Sequence, residues 1–122
     1  MEKLERKTFD KPEETRLFEG NGFAELVMVA GRPVARGTFE PGWRWSKNVK
    51  PIAGTPSCQV SHLGYVVSGQ MRITMDDGTS LEVGPGDVFA VQPGHDAEVV
   101  GDEACVSLDF GEISEYARHS PS

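Results

Sequence analysis

The sequence predicts an all-β fold, a sandwich or closed barrel of about nine short strands in one domain. Three observations carry this. Apolar runs of four to eight residues recur, some with clean period-two alternation. Turn chemistry separates them at regular intervals. Gly and Pro supply 14 and 8 of the 122 residues, which favours tight turns and short strands over long helices.

Residues 1–22 read as a polar, irregular N-terminal arm in which Pro12 opens a short helical turn through "EETRLF". The domain proper spans 23–111. "FAELVMVA" is the first strand, closed by the turn at Gly31–Pro33. "VARGTFE" is the next and "PGW" ends it. "CQVSHLGYVV" follows and stops at "SG". In "MRITM", Met71, Ile73 and Met75 share one face and Arg72 and Thr74 the other. Asp77-Gly78 is a favoured hairpin pair, leading into "LEV". "GPGD" turns into "VFAV", which stops at Pro93-Gly94. "AEVV" and "CVSLDF" are the last strands. Residues 112–122 form a C-terminal tail, with "ISEYARH" as a short helix.

Bulk properties exclude several functions. The formal charge of −7 repels phosphate backbones and argues against nucleic-acid binding. The longest apolar run, Leu26–Ala30, is far too short to span a bilayer. "MEKLERKTFD" lacks the apolar core of a signal peptide. These readings lead to an expectation of a soluble, cytoplasmic protein without membrane partners. In such a compartment Cys58 and Cys105 are expected as two free thiols.

"GPGDVFAVQPG", Gly84–Gly94, resembles the second motif of the cupin superfamily: a glycine-aspartate turn, an apolar strand and a proline-glycine turn. "CQVSHLGYVVSGQMRITMDDG" resembles the first motif, and "FEPGWRWSK" stands where the preceding strand and loop belong. The resemblance covers roughly Phe23 to Phe110. It implies a single-domain jelly-roll β-barrel, with short irregular or helical terminal segments and one internal pocket, often around a divalent metal. It further implies a homodimer paired through N-terminal strands, for which "ELVMVA" is the expected edge.

The ligand pattern of the superfamily is not retained. The usual first motif is H-x-H-x(3–4)-E-x(6)-G. Counting back from Gly69, its Glu position holds His62, its second His position Cys58 and its first Pro56. The His of the second motif falls at Ala97, with His95 two residues earlier in the turn.

Cys58, His62 and His95 are therefore the candidate metal ligands. Thiolate and imidazole suit zinc better than iron, nickel or manganese. Cys58 and His62 share a strand face, yet four residues of flat strand span about 13 Å. One ion can join them only if the chain bends between them; otherwise Cys58 is core. His62 is the stronger candidate, an inward pocket residue met by a metal or, alternatively, by a hydrogen bond to Gln59, Ser61 or Asp96. His95, as a turn residue, faces solvent unless it serves as a ligand or acid–base group at the barrel mouth. Asp96 orients an imidazole or stabilises the turn.

Trp43 and Trp45, two apart, either line a pocket for a flat apolar ligand or close the barrel end. Gln59 and Asp96 complete the candidate pocket. Arg36, Arg44 and Lys47 are candidates to balance an anionic ligand, with solvated surface as the default. Tyr65 points away from His62, and His119 lies in the polar tail. Two functions follow: a metal-dependent barrel acting on a small organic molecule, or a non-catalytic, metal-free barrel that binds one.

Overall fold

The computed structural model describes residues 4–113 and residue 116. Among these residues, nine strands and two four-residue helical turns follow one another. They are β1 Glu14–Leu17, β2 Gly22–Val29, β3 Arg32–Phe39, α1 Trp45–Asn48, α2 Lys50–Ala53, β4 His62–Ser68, β5 Gln70–Met75, β6 Ser80–Val83, β7 Val88–Val91, β8 His95–Val100 and β9 Cys105–Asp109. The strands form two antiparallel sheets. The larger has the order β1-β2-β3-β9-β4-β7 and the smaller β6-β5-β8. The sheets face each other across one apolar core, the jelly-roll form of the all-β class.

Alternation explains which residues reach that core. On β5, Met71 and Ile73 are buried and Arg72 and Thr74 are not. On β4, Gly64 and Val66 point inward, whereas Leu63, Tyr65 and Val67 are exposed on the opposite face. Gly64 is required where it stands. A Cβ there would lie 2.4 Å from the Phe89 ring of β7, its paired residue. The turn after β4 needs a glycine for another reason: Gly69 has φ +76° and packs against the Ala104 carbonyl.

Two expectations are corrected. The segment after Pro12 is a strand, not a helical turn: Glu14–Leu17 pairs with Leu26–Phe23 of β2. Pairing satisfies its backbone and directs Arg16 and Phe18 into the core. This strand also moves the sheet edge. β1 covers Glu25 and Leu26 of "ELVMVA", while Val27–Val29 run past it and pair with β3 alone; β1 and β7 are the outer strands of the large sheet. The short helical segments α1 and α2 lie where only an interruption at "PGW" was expected. They carry Trp45, Asn48 and Val49 into the interior. The predicted helix "ISEYARH" and His119 lie largely outside the described residues. No helix among the described residues is long and apolar enough to cross a membrane.

Candidate metal centre and pocket

The bend that Cys58 needs is present. Cys58 does not belong to β4. It forms an isolated bridge with His95 at the start of β8, with Cys58 N donating to His95 O at 2.7 Å and Gly94 N to Cys58 O at 2.7 Å. His62 opens β4 in the other sheet. Residues 59–61 thus cross from one sheet to the other, and the crossing replaces about 13 Å of flat strand with a Sγ–Nε2 separation of 3.7 Å. Ser57 Oγ donates to Asp76 Oδ2 at 3.0 Å and ties this corner to the β5–β6 hairpin.

Each histidine is oriented by a fixed acceptor. On β9, Cys105, Ser107 and Asp109 point inward by alternation. Asp109 pairs with Gly64, which makes it the diagonal neighbour of His62 on the same face. His62 Nδ1 donates to Asp109 Oδ2 at 2.5 Å, and Asp109 Oδ1 accepts from Gly111 N at 2.8 Å. His95 Nδ1 donates to the Gln92 carbonyl at 2.8 Å. With Nδ1 occupied on both rings, Nε2 is the nitrogen each has left for a ligand. The rings meet edge-on with centroids 5.1 Å apart. One donor atom each from Cys58, His62 and His95 lie within 4.8 Å of one another.

The electrostatics follow from this chain of contacts. Burial opposes the His62 cation, but the hydrogen bonds that it makes to Asp109 and Cys58 outweigh it and raise its pKa to about 9. Burial likewise opposes the Cys58 thiolate, and His62 and His95 outweigh it, bringing the thiol down to about 7. Cys105, buried beside Glu103, is instead pushed up to about 11. Tyr116 is raised well above the ordinary phenol range by burial, with Cys58 and Asp109 adding to it.

Beside the cluster lies a cavity of about 50 Å³. Trp43, Trp45, Phe39, Phe89 and Tyr116 supply aromatic walls, and His62, His95, Ser107 and Asp109 the polar ones. Tyr116 packs edge-on against His62 at 5.2 Å. Ile113 and Tyr116 line this side and are held in place: the buried Arg16 guanidinium donates to the Ile113 carbonyl at 2.9 Å and the Tyr116 carbonyl at 2.7 Å.

The structure therefore brings together Cys58, His62, His95, Trp43 and Trp45. It separates the other two candidates. Gln59 is exposed, with its amide turned back to Ser57. Asp96 faces the outside of β8, where Oδ1 accepts from Ser46 N and Ala97 N and stabilises the corner rather than an imidazole. His95 is 3% exposed, so the turn does not deliver it to solvent. Arg36 pairs with Glu25 and Arg44 with Glu98, and Lys47 is exposed. Asp109 and Tyr116 were not anticipated. The inward alternation Cys105-Ser107-Asp109 carries a signal for the first, because an acid on the core face of a strand needs a partner.

The cupin domain model matches residues 55–111. The matched residues carry β4 to β9 of the two-sheet jelly roll and are similar to a cupin domain. Solved structures agree. The polyketide cyclase RemF from Streptomyces resistomycificus is 16% identical over 97% of this chain and 82% of its own, with a TM-score of 0.63. A protein of unknown function from Acinetobacter sp. ADP1 is 18% identical over 82% and 90%, TM-score 0.60. A variant of Bacillus subtilis oxalate decarboxylase is 20% identical over 88% of this chain and 29% of its own, TM-score 0.59. At these identities the likeness is one of fold. Among curated proteins no match is found.

Proposed function

We propose that this barrel binds one divalent cation through Cys58, His62 and His95, and a small organic molecule in the apolar cavity beside it. The observation that carries the reading is the convergence of three donors, with both imidazoles already held through Nδ1. The donor set fits the ion. In a tetrahedral zinc site with bonds of about 2.3 Å to sulfur and 2.05 Å to nitrogen, a sulfur and a nitrogen stand roughly 3.6 Å apart; Cys58 Sγ and His62 Nε2 are 3.7 Å apart. One thiolate and two imidazoles favour zinc over iron, nickel or manganese. Three protein donors leave a four-coordinate ion one further position, and such an ion supplies Lewis acidity. Asp109 fixes the His62 tautomer, the Gln92 carbonyl fixes that of His95, and Tyr116 packs edge-on against the His62 ring. Catalysis on the bound molecule is the activity this arrangement supports.

One observation favours a second reading, a metal-free binding barrel. Cys58, His62 and Asp109 form a self-satisfied chain of hydrogen bonds that needs no ion. Calorimetric titration of metal-free protein with Zn²⁺ separates the two. The first reading expects one saturable site, lost in His62→Ala and in Cys58→Ala. The second expects no saturable heat in wild type.

A further inference from the structure

We infer that two copies of this chain associate through the outer face of the large sheet, across β9, β4 and β7, rather than through the N-terminal strands. The inference is independent of the metal and of the cavity, which lie on the inner face.

The outer face has a covered half and an open half. Leu108 of β9 is paired with Arg36 of β3 on one side and with Tyr65 of β4 on the other, and Tyr65 is paired in turn with Val88 of β7. Residues directly opposite one another share a face, so one row crosses the sheet from Arg36 to Val88. The N-terminal arm reaches the Arg36 end. There the guanidinium sits over the Phe9 ring at 5.0 Å and pairs with Glu25, and Val27, on this face by alternation, is 4% exposed. From Leu108 onward the row is apolar and open. Leu63 and Val67 flank Tyr65 on β4, and Leu63 pairs with the exposed Ala90. Phe110, the residue after β9, donates its backbone N–H to the Leu63 carbonyl at 2.8 Å. Leu63, Tyr65, Val67, Val88 and Phe110 are 40–72% exposed.

A second copy fits this patch in size and in charge. With side chains of this kind presenting roughly 150–250 Å² each, the open fractions leave about 500 Å² of mainly apolar surface. A standard interface takes about 800 Å² from each partner, of which about 56–65% is apolar, or about 450–520 Å². The chain carries a formal charge of −7, so self-association through acidic surface is opposed. The patch residues carry no charge, and a two-fold axis through them sets like against like without that penalty.

The N-terminal edge is instead closed within the chain. Where Met28 and Ala30 run past β1, their N–H groups donate to Glu13 Oε2 at 2.7 Å and Glu5 Oε1 at 2.8 Å. Those are donors that a strand added at this edge would need.

Sedimentation velocity of the full chain over the micromolar range tests the inference. Val88→Lys and Tyr65→Lys alter the patch, and Leu81→Lys, at an exposed position of the smaller sheet, is the control. Circular dichroism checks that each variant is folded, and Val88, 72% exposed, is the position least able to disturb folding. Wild type and Leu81→Lys are expected to be dimers with a dissociation constant in or below the micromolar range. Both patch variants should raise that constant at least about 100-fold by setting lysine against lysine across the axis. Wild type that stays monomeric at about 100 μM would overturn the inference. A dimer that survives in folded Val88→Lys and Tyr65→Lys would overturn the choice of face. Monomeric wild type that floats with phosphatidylcholine vesicles, where Val88→Lys does not, would assign the patch to a lipid surface and also overturn it.

Discussion

Asp109→Asn keeps the shape of a side chain and removes its charge, so it isolates what the carboxylate does for His62. In the metal-free protein, burial works against the His62 cation, and Asp109 and then Cys58 overcome it, raising the pKa from 6.5 to about 9. That difference corresponds to roughly 3 kcal/mol of interaction favouring the charged ring. Burial has already been subtracted from it, so the two partners together contribute more than this, and Asp109, the larger of them, at least about 2 kcal/mol. Because the folded pKa is raised, the contribution is complete below pH 6.5 and is lost as pH rises through about 9. Cys58 runs the other way. Its pKa falls from 9.0 to about 7, so its contribution is complete above pH 9 and lost as pH falls through about 7. Both shifts count the same attraction, so wild-type stability should be nearly level between these limits. Urea denaturation in chelator at several pH values from 6.5 to 10 then gives a clear expectation. Asp109→Asn costs at least about 2 kcal/mol at the acid end, and the deficit shrinks as pH passes 9. Ring NMR should show His62 titrating lower in the variant. A deficit that does not change with pH, or a His62 titration identical in both proteins, would refute this account of the cluster.

Further outcomes follow from particular contacts. Gly64→Ala forces a Cβ to within 2.4 Å of the Phe89 ring and 3.1 Å of the Leu108 carbonyl; a loss of about 1–3 kcal/mol in chemical denaturation is expected. Arg16→Ala removes the donor to the Ile113 and Tyr116 carbonyls; it should cost roughly 2–3 kcal/mol in the same assay, with Arg16→Lys recovering part. Cys105→Ala should leave zinc binding intact while Cys58→Ala abolishes it. Only Cys58 joins the histidines, and calorimetric titration of the two variants checks this.

The strands were legible because their alternation and turn chemistry are local signals. Met71 and Ile73 show it, as does the Asp77-Gly78 hairpin. Strand β1 was not, since "ETRL" has no apolar alternation; pairing with β2 and the burial of Arg16 against distant carbonyls hold it, and neither is visible locally. His62 was legible as an inward residue from strand parity. The association with Cys58 was legible only as a condition, a bend, because the crossing between sheets is set by the backbone bridge to His95. That same bridge makes His95 an inward strand residue instead of an exposed turn residue. Gln59 and Asp96 do not line the central cavity: Gln59 lies in the crossing with its amide turned back to Ser57, and parity on β8 sends Asp96 outward once the strand begins at His95.

The central claim is that Cys58, His62 and His95 together hold one metal ion. Elemental analysis of protein purified without a His tag, set beside His62→Ala, tests it most directly. The account predicts close to one zinc per wild-type chain and a large loss in the variant. Wild-type protein free of divalent metal, even after reconstitution with zinc, would contradict it.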